Sequence, residues 1–281
     1  MQIGIRALGE ILNLQEKKQP LIHCISNLVN INDLAQGILG YNGIPIIANG
    51  VEEVNEITSK CNGLLLNLDN LDSNEVETME KALRVASRKG LAVILDIVGI
   101  DISFFRRETA LRFLTRYKID VVKGNLSEFR VLMDKGSALE DSEFLKGKLN
   151  QNLKVKNELR KLSRRFRSIL VIDDEERYIT DGFSEFLVEG YHKNFKKVTG
   201  TNFILGGLIA VAIASAKDRQ QMVQGTLVAV MTMGVSEKLT LQRKRRNKGL
   251  ETLKRYLLDE ISLIDKNKLN SNGKILYGFT R

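Results

Sequence analysis

Cysteine and histidine are scarce, with two of each in 281 residues. Cys24 and Cys61 provide neither a disulfide framework nor zinc-ligand spacing. No run of eighteen uninterrupted apolar residues occurs, so no segment reads as a membrane span. The opening MQIGIRALGEILNLQEKKQP is amphipathic rather than leader-like. No internal repeat is present. These absences lead to the expectation of a cytoplasmic protein that binds no membrane. With 43% hydrophobic residues the chain can bury a large core. We expect one domain over 1–281, with the polar, Asn/Lys-rich stretch 265–281 as a loose tail.

The chain carries a formal charge of +9, concentrated in RKLSRRFR (160–167) and RKRRNK (243–248). Neither cluster interleaves with base-stacking aromatics, and Leu162 and Phe166 alternate with the first as on an exposed helix face. A solvated surface is favoured over a nucleic-acid partner.

Apolar runs of strand length alternate with segments of helical period, the pattern of parallel strands joined by crossover helices. PLIHCIS, PIIAN, GLLLNL, LAVILDIV, DVVKGN and SILVID read as strands, and RYITDG and SEFLVEG as a later hairpin-like pair. Helices are predicted over 31–41, 51–60, 73–89, 104–117 and 126–134. The stretch 134–168 is a polar connection that turns helical at its end. ILGGLIAVAIASA, too short for a bilayer, reads as a buried core helix, and 219–262 as two more helices. The fold class is α/β with a central, mostly parallel sheet.

Open parallel sheets bind ligands beyond the carboxyl ends of their strands. Four such endings carry polar groups. HCISNLVNIND places His23, Cys24, Ser26, Asn27 and Asn30 at or after a strand, where turn chemistry competes with binding. Asp96 ends LAVILD, either as a helix cap or as a charge facing the crevice. VVKGNLSE sets Lys123 and Asn125 at a strand end. It also gives Glu128 capping-box spacing from Asn125, which competes evenly with a role in holding a hydrated cation. Asp96 and Glu128 together suit Mg²⁺, which is held by one or two carboxylates plus phosphate oxygens. Finally, VTGTNF leads through Gly200 and Thr201 into an apolar helix whose first N–H groups and dipole favour an anion.

Together these stretches resemble the hydroxyethylthiazole kinase family of the ribokinase-like group. PLIHCISNLVNINDLAQGILGYNGIPIIA is similar to PLVHCITNxVxxNxxANxLLAxGAxPxMA, LDIVGIDISFFR to LDPVGxGATxFR, VVKGNLSE to IRGNxSE, YITDG to VTDG and VTGTNF to VTGTGC, in order over residues 8–215. The resemblance implies a three-layer α/β/α ribokinase-like fold. It also implies Mg²⁺ with ATP as co-substrate, 4-methyl-5-(2-hydroxyethyl)thiazole as acceptor, and a homotrimer with sites between subunits. Asp96 and Glu128 fall on the acidic positions around Mg²⁺ and phosphate. Lys123, Asn125 and Asp173 fall on the nucleotide side, Asn27, Cys24, Ile47 and Gly200 on the acceptor side, and Gly200, Thr201, Asn202 and Phe203 on the anion-hole loop.

Several matched positions depart from the family pattern. Lys123 stands for an Arg, and Ile47 for a Met. Ile97 replaces the Pro of DPVG, while Asp101, Ile102 and Ser103 stand for Gly, Ala and Thr. VIDD puts Asp173 and Asp174 where VTG has Thr and Gly, an expected repulsion for phosphates. Asn202 and Phe203 replace the Gly and Cys of the anion hole, and Phe has no proton acceptor. Two readings remain at this point: a kinase working without a side-chain base, and a catalytically impaired binding or regulatory subunit.

Overall fold

The computed structural model describes residues 5–26, 29–133, 149, 152–174, 176–189, 195, 197–243 and 249–279. Helix α1 (Ile5–Lys18) leads into β1 (Leu21–Ile25), followed by α2 (Ile31–Gly40), β2 (Ile44–Ile47), α3 (Val54–Lys60), β3 (Gly63–Asn67), α4 (Ser73–Lys89) and β4 (Ala92–Asp96). The chain continues through α5 (Phe104–Arg116), β5 (Val121–Gly124), α6 (Leu126–Leu132), α7 (Leu153–Phe166), β6 (Ile169–Asp173), β7 (Arg177–Thr180) and β8 (Glu185–Val188). It ends with α8 (Thr201–Ser215), α9 (Arg219–Arg243), α10 (Leu250–Ser262), α11 (Lys266–Asn272) and β9 (Ile275–Phe279).

Every strand and helix read from the sequence is present within a few residues, and local chemistry explains the ends. Asp72 accepts from Glu75 N–H while Glu75 reaches back to Asp72 N–H, a complete capping box, and Gly90 closes α4 at φ +66°. Ser103 caps α5 with its side chain alone, accepting from Arg106 N–H.

The nine strands form one sheet in the order β2-β1-β3-β4-β5-β6-β7-β8-β9. The first six pair in parallel, and β7, β8 and β9 add antiparallel. The central strands are apolar without a break because both faces are covered. Leu65, Ile94, Val121 and Val171 pack with α1, α2, α8, α9 and α10. Their neighbours Leu64, Leu66, Val93, Leu95, Val122 and Leu170 pack with α4, α5, α6 and α7 on the other face. This is a three-layer α/β/α sandwich.

Helix α8 is the expected core helix: all residues from Phe203 to Ser215 are buried. It packs between α2 and α9 over β3 and β4. Among the described residues no helix is long and apolar enough to cross a membrane. The stretch 219–262 forms the two expected helices. The basic cluster at 160–167 lies at the end of α7, with Leu162 buried and Arg164 donating to Gly182 O at 2.8 Å. Arg243 pairs with Glu260 (2.9 Å) and stacks over Tyr256, while 244–248 lie outside the described residues.

The tail differs from expectation. Residues 266–272 form α11, capped by Asp265 and anchored by buried Leu269, and β9 pairs with β8. Sheet-edge hydrogen bonds order a segment whose polar composition suggested looseness, because β8 would otherwise present an unpaired edge.

Candidate active site

The face of the sheet beneath α8 turns polar at its carboxyl end. Each apolar residue on that face is followed two positions later by a polar one: Leu65 by Asn67, Ile94 by Asp96, Val121 by Lys123, and Val171 by Asp173. The parallel register sets Asn67 beside Asp96 and Asp96 beside Lys123. A period of two thus carries the core row straight into a row of functional groups. These residues, with Val98, Gly124, Asn125, Glu128, Asn202 and Phe203, enclose a cleft of about 100 Å³.

Glu128 enters the cleft from the first turn of α6. Its Oε2 accepts from Asn125 N–H at 2.7 Å and its Oε1 from Gly99 N–H at 2.8 Å, while Asn125 Oδ1 accepts from Glu128 N–H at 2.8 Å. The capping box is therefore real, and the same carboxylate lines the cleft. The two readings of Glu128 are compatible. Burial pushes its carboxyl up to about 7 against the two backbone hydrogen bonds, and the Asp96 charge adds to the rise. Gly124 makes this packing possible, because a Cβ there would lie 2.6 Å from Ile97 Cγ1 and 2.8 Å from Glu128 Oε2.

Lys123 is almost fully buried, and its Nζ lies 3.0 Å from Asp96 Oδ2 and 4.0 Å from Asp173 Oδ2. Burial alone would lower the ammonium pKa, but the carboxylates outweigh it and hold it above its ordinary value. Asp96 is pushed up by burial, partly offset by Lys123. Behind Asp173, Arg177 Nε donates to Asp173 Oδ1 at 2.7 Å. The Arg177 Nη atoms grip Glu237 of α9 at 2.8 and 3.1 Å. The expected repulsive pair of carboxylates is thus corrected. Asp173 is charge-compensated on both sides, and Asp174 Oδ2 accepts from Leu126 N–H at 2.8 Å, capping α6.

The fourth wall is the start of α8. Its first intrahelical bond runs from Ile204 N–H to Gly200 O at 3.0 Å, so the N–H groups of 201–203 precede the ladder at the positive end of a fifteen-residue helix. Gly200 has φ +90°, and a Cβ there would collide with the Asp33 carboxylate, which Lys254 holds at 3.1 Å. Thr201 Oγ1 donates to Val198 O at 3.3 Å, bracing the loop. Further along, α8 crosses Asp96 at Gly206, where a Cβ would lie 3.9 Å from Asp96 Oδ2.

A model described as the hydroxyethylthiazole kinase family matches residues 12–267. The chain belongs to the hydroxyethylthiazole kinase family. The hydroxyethylthiazole kinase of Clostridium perfringens strain 13 is 31% identical over 266 residues, spanning 95% of this chain and 100% of the relative. That of Clostridium acetobutylicum is 33% identical over 268 residues, spanning 94% and 97%. The solved structure of the hydroxyethylthiazole kinase protein from Pyrococcus horikoshii OT3 aligns with a TM-score of 0.84 at 24% identity, covering 98% and 99% of the two chains. A ribokinase-like superfamily protein from Enterococcus faecalis shares the fold at a TM-score of 0.59 and 13% identity, covering 93% and 95%. The three-layer architecture is ribokinase-like.

Of the residues aligned with the family's motifs, Asp96, Lys123, Asn125, Glu128, Asp173, Asn202 and Phe203 meet in the cleft. Gly200 and Thr201 form the loop leading into it. Asp101 sits half-buried in the turn before α5 and does not line the cleft. Cys24 does not line it either: it is fully buried in the apolar cluster under α8, 3.6 Å from Ile22 O, and burial pushes its thiol up. Strand alternation sends Cys24 to the face opposite His23, whose ring nitrogens lie 2.9 Å from Thr58 Oγ1 and Ala48 O. Ile47 stands 42% exposed on edge strand β2, away from the cleft. Asn27 lies outside the described residues. Sequence reasoning missed Asn67, which the same strand-end rule applied to GLLLN would have found. It also missed Arg177, Glu237 and Asp33, for which no local signal exists.

Proposed function

We propose that this family member transfers the γ-phosphoryl group of ATP to the primary alcohol of 4-methyl-5-(2-hydroxyethyl)thiazole, in the cytoplasm, as a step of thiamin salvage. The observation that carries the reading is the convergence of strand-end carboxylates, a helix-capping Glu and the amino end of a buried helix on one cleft. That convergence supports binding of a phosphate together with a cation. The residues fit Mg²⁺ in the manner that cation prefers. Among the described residues no group of three His, Cys, Asp or Glu side chains forms a metal cluster. Asp96 and Glu128, both lining the cleft, would hold the cation together with phosphate oxygens and water. When bound, the cation neutralises charge on the transferring phosphoryl group.

The chain's own groups do the rest. Backbone N–H groups of Thr201, Asn202 and Phe203 stabilise the charge that develops on the transferring group, with the helix dipole behind them. Lys123 balances Asp96, and Asn125 fixes the turn that presents Glu128. Phe203 offers no proton acceptor, so the alcohol's proton passes to a phosphoryl oxygen or to water and not to a side-chain base at that position, as the new O–P bond forms and the bond to ADP breaks. Phosphoryl transfer tolerates this because it rests mainly on positioning and charge stabilisation, and a general base is worth about 10²- to 10⁴-fold. We read the acceptor site as shared between subunits of a homotrimer, with Asn27, Ile47 and Gly200 toward the acceptor. The edge strand β2, which among the described residues pairs only with β1 and has Ile44 and Ile47 each 42% exposed, supports a subunit contact there. A second reading, a binding subunit that has lost turnover, is favoured by Asn202 and Phe203, which line the cleft where the family pattern has Gly and Cys, and by Ile97 in place of Pro.

Differential scanning of the purified protein with millimolar Mg-ATP tests the donor half of this reading. The midpoint rises if the folded protein binds the nucleotide; an unmoved midpoint contradicts it.

A further inference from the structure

Five buried charges run in alternating sign from the cleft into the core: Asp96, Lys123, Asp173, Arg177 and Glu237. Successive contacts are 3.0, 4.0, 2.7 and 2.8 Å. Every one of these side chains is at most 5% exposed. The sum of the five is −1. Arg177 forks, giving Nε to Asp173 and both Nη atoms to Glu237. A carboxylate at 173 without that guanidinium would add an unbalanced negative charge to a cleft that already holds Asp96 and Glu128.

We propose that Arg177 and Glu237 are positioning residues of the donor pocket. By pairing with Asp173 they compensate its charge where it lines the cleft and keep Lys123 between two carboxylates, so that Lys123 organises Asp96 instead of gripping phosphate. The proposal rests on the phosphoryl-transfer reading for its consequence and on the ladder alone for its geometry. The consequence is that the cleft has no uncommitted cation of its own from Lys123 and takes its polyphosphate donor together with a divalent cation. Glu237, on the 25-residue helix α9, thereby ties the packing of that helix to the charge of a pocket it does not line.

The test uses two matched variants of the full chain. R177M/E237L removes the guanidinium together with its far carboxylate, leaving Asp173 unrestrained. R177M/E237L/D173N then removes that carboxylate too. Mn²⁺ is titrated calorimetrically without nucleotide, and KM for Mg-ATP is measured separately from kcat. The net charge of the ladder stays at −1, but Asp173 loses its nearest cation on the cleft side, which should tighten Mn²⁺ binding severalfold and raise KM for Mg-ATP severalfold, with a smaller change in kcat. The triple variant should bring the Mn²⁺ affinity back down and lower KM again. A ladder that only stabilises the fold would lower the melting temperature and leave Mn²⁺ affinity unchanged; that result overturns the proposal. So does a triple variant that keeps the altered Mn²⁺ affinity of the double. If R177M/E237L does not fold, R177Q/E237Q carries the same measurement, because it keeps polar side chains of similar length and loses both charges; an Mn²⁺ affinity equal to the parent's then overturns the proposal. The Mn²⁺ titration needs no turnover, so a protein without kinase activity would refute the functional reading while still deciding the ladder.

Discussion

Gly200 offers the sharpest structural prediction, because two separable physical terms bear on one atom. Its φ of +90° costs a side-chain-bearing residue about 1–2 kcal/mol. A Cβ at that position also runs into the Asp33 carboxylate, itself held by Lys254, and overpacking of this kind costs about 1–3 kcal/mol. Gly200→Ala should therefore destabilise the protein by about 2–5 kcal/mol. At about 2–4 °C per kcal/mol for a chain approaching this size, that corresponds to a fall in melting temperature of about 4–20 °C. The assay is denaturant or thermal unfolding of four proteins: the parent, Gly200→Ala, Asp33→Ala and the pair. In the Asp33→Ala background the collision with the carboxylate is gone, and the cost should fall toward the backbone term of about 1–2 kcal/mol plus the remaining approach to the Cβ of residue 33 at 2.9 Å. An equal cost in both backgrounds, or a cost below about 1 kcal/mol in the parent, would refute the argument that Asp33 fills the space above this loop.

Other consequences can be checked with the same protein. Restoring the pattern at the anion-hole loop, Asn202→Gly with Phe203→Cys, should raise the rate of thiazole phosphorylation by about 10- to 100-fold, within the range of a restored base; steady-state kinetics decides. Glu128 keeps its proton to about 7 in the folded chain, above its unfolded value. Its contribution to stability is thus fully present below the ordinary carboxylate range, is lost as pH rises to about 7, and is level above that. Melts of the parent and Glu128→Gln between pH 4 and 8 should differ in slope by up to about 1.4 kcal/mol per pH unit. Divalent-cation affinity should fall as pH drops below about 7, since a protonated Glu128 is a poorer ligand; Mn²⁺ titrations at two pH values read this directly. Gly124→Ala should cost about 1–3 kcal/mol by forcing Ile97 and Glu128 apart, measured by chemical denaturation.

Much of this architecture is legible in the sequence because it rests on local rules. Unbroken apolar runs such as AVILD and ILVID mark strands buried on both faces, and the rule that ligands sit beyond strand ends singles out Asp96 and Lys123, whereas Asp173 enters only through the resemblance. The Asn125–Glu128 spacing announces a capping box that the structure contains. What the sequence hides is pairing in space. Asp173 and Asp174 look like intruders at a phosphate site until Arg177 and the amino end of α6 appear beside them. Glu237, sixty residues from Arg177, has no periodicity that points toward β7. The motif marks Cys24 as an acceptor-side residue, and strand alternation places it in the apolar cluster under α8. The terminal segment follows the same logic: ILYGF is too short and too polar in its surroundings to stand out, and it is ordered by the edge that β8 offers.

The central claim is phosphoryl transfer in the cleft below α8, and the most direct test is ³¹P NMR of the purified protein with ATP, Mg²⁺ and 4-methyl-5-(2-hydroxyethyl)thiazole. The account predicts a new phosphomonoester signal that requires all three components and disappears in Asp96→Asn. Absence of that signal from the parent protein, with its appearance in Asn202→Gly/Phe203→Cys, would contradict the claim and leave a binding protein on a kinase scaffold.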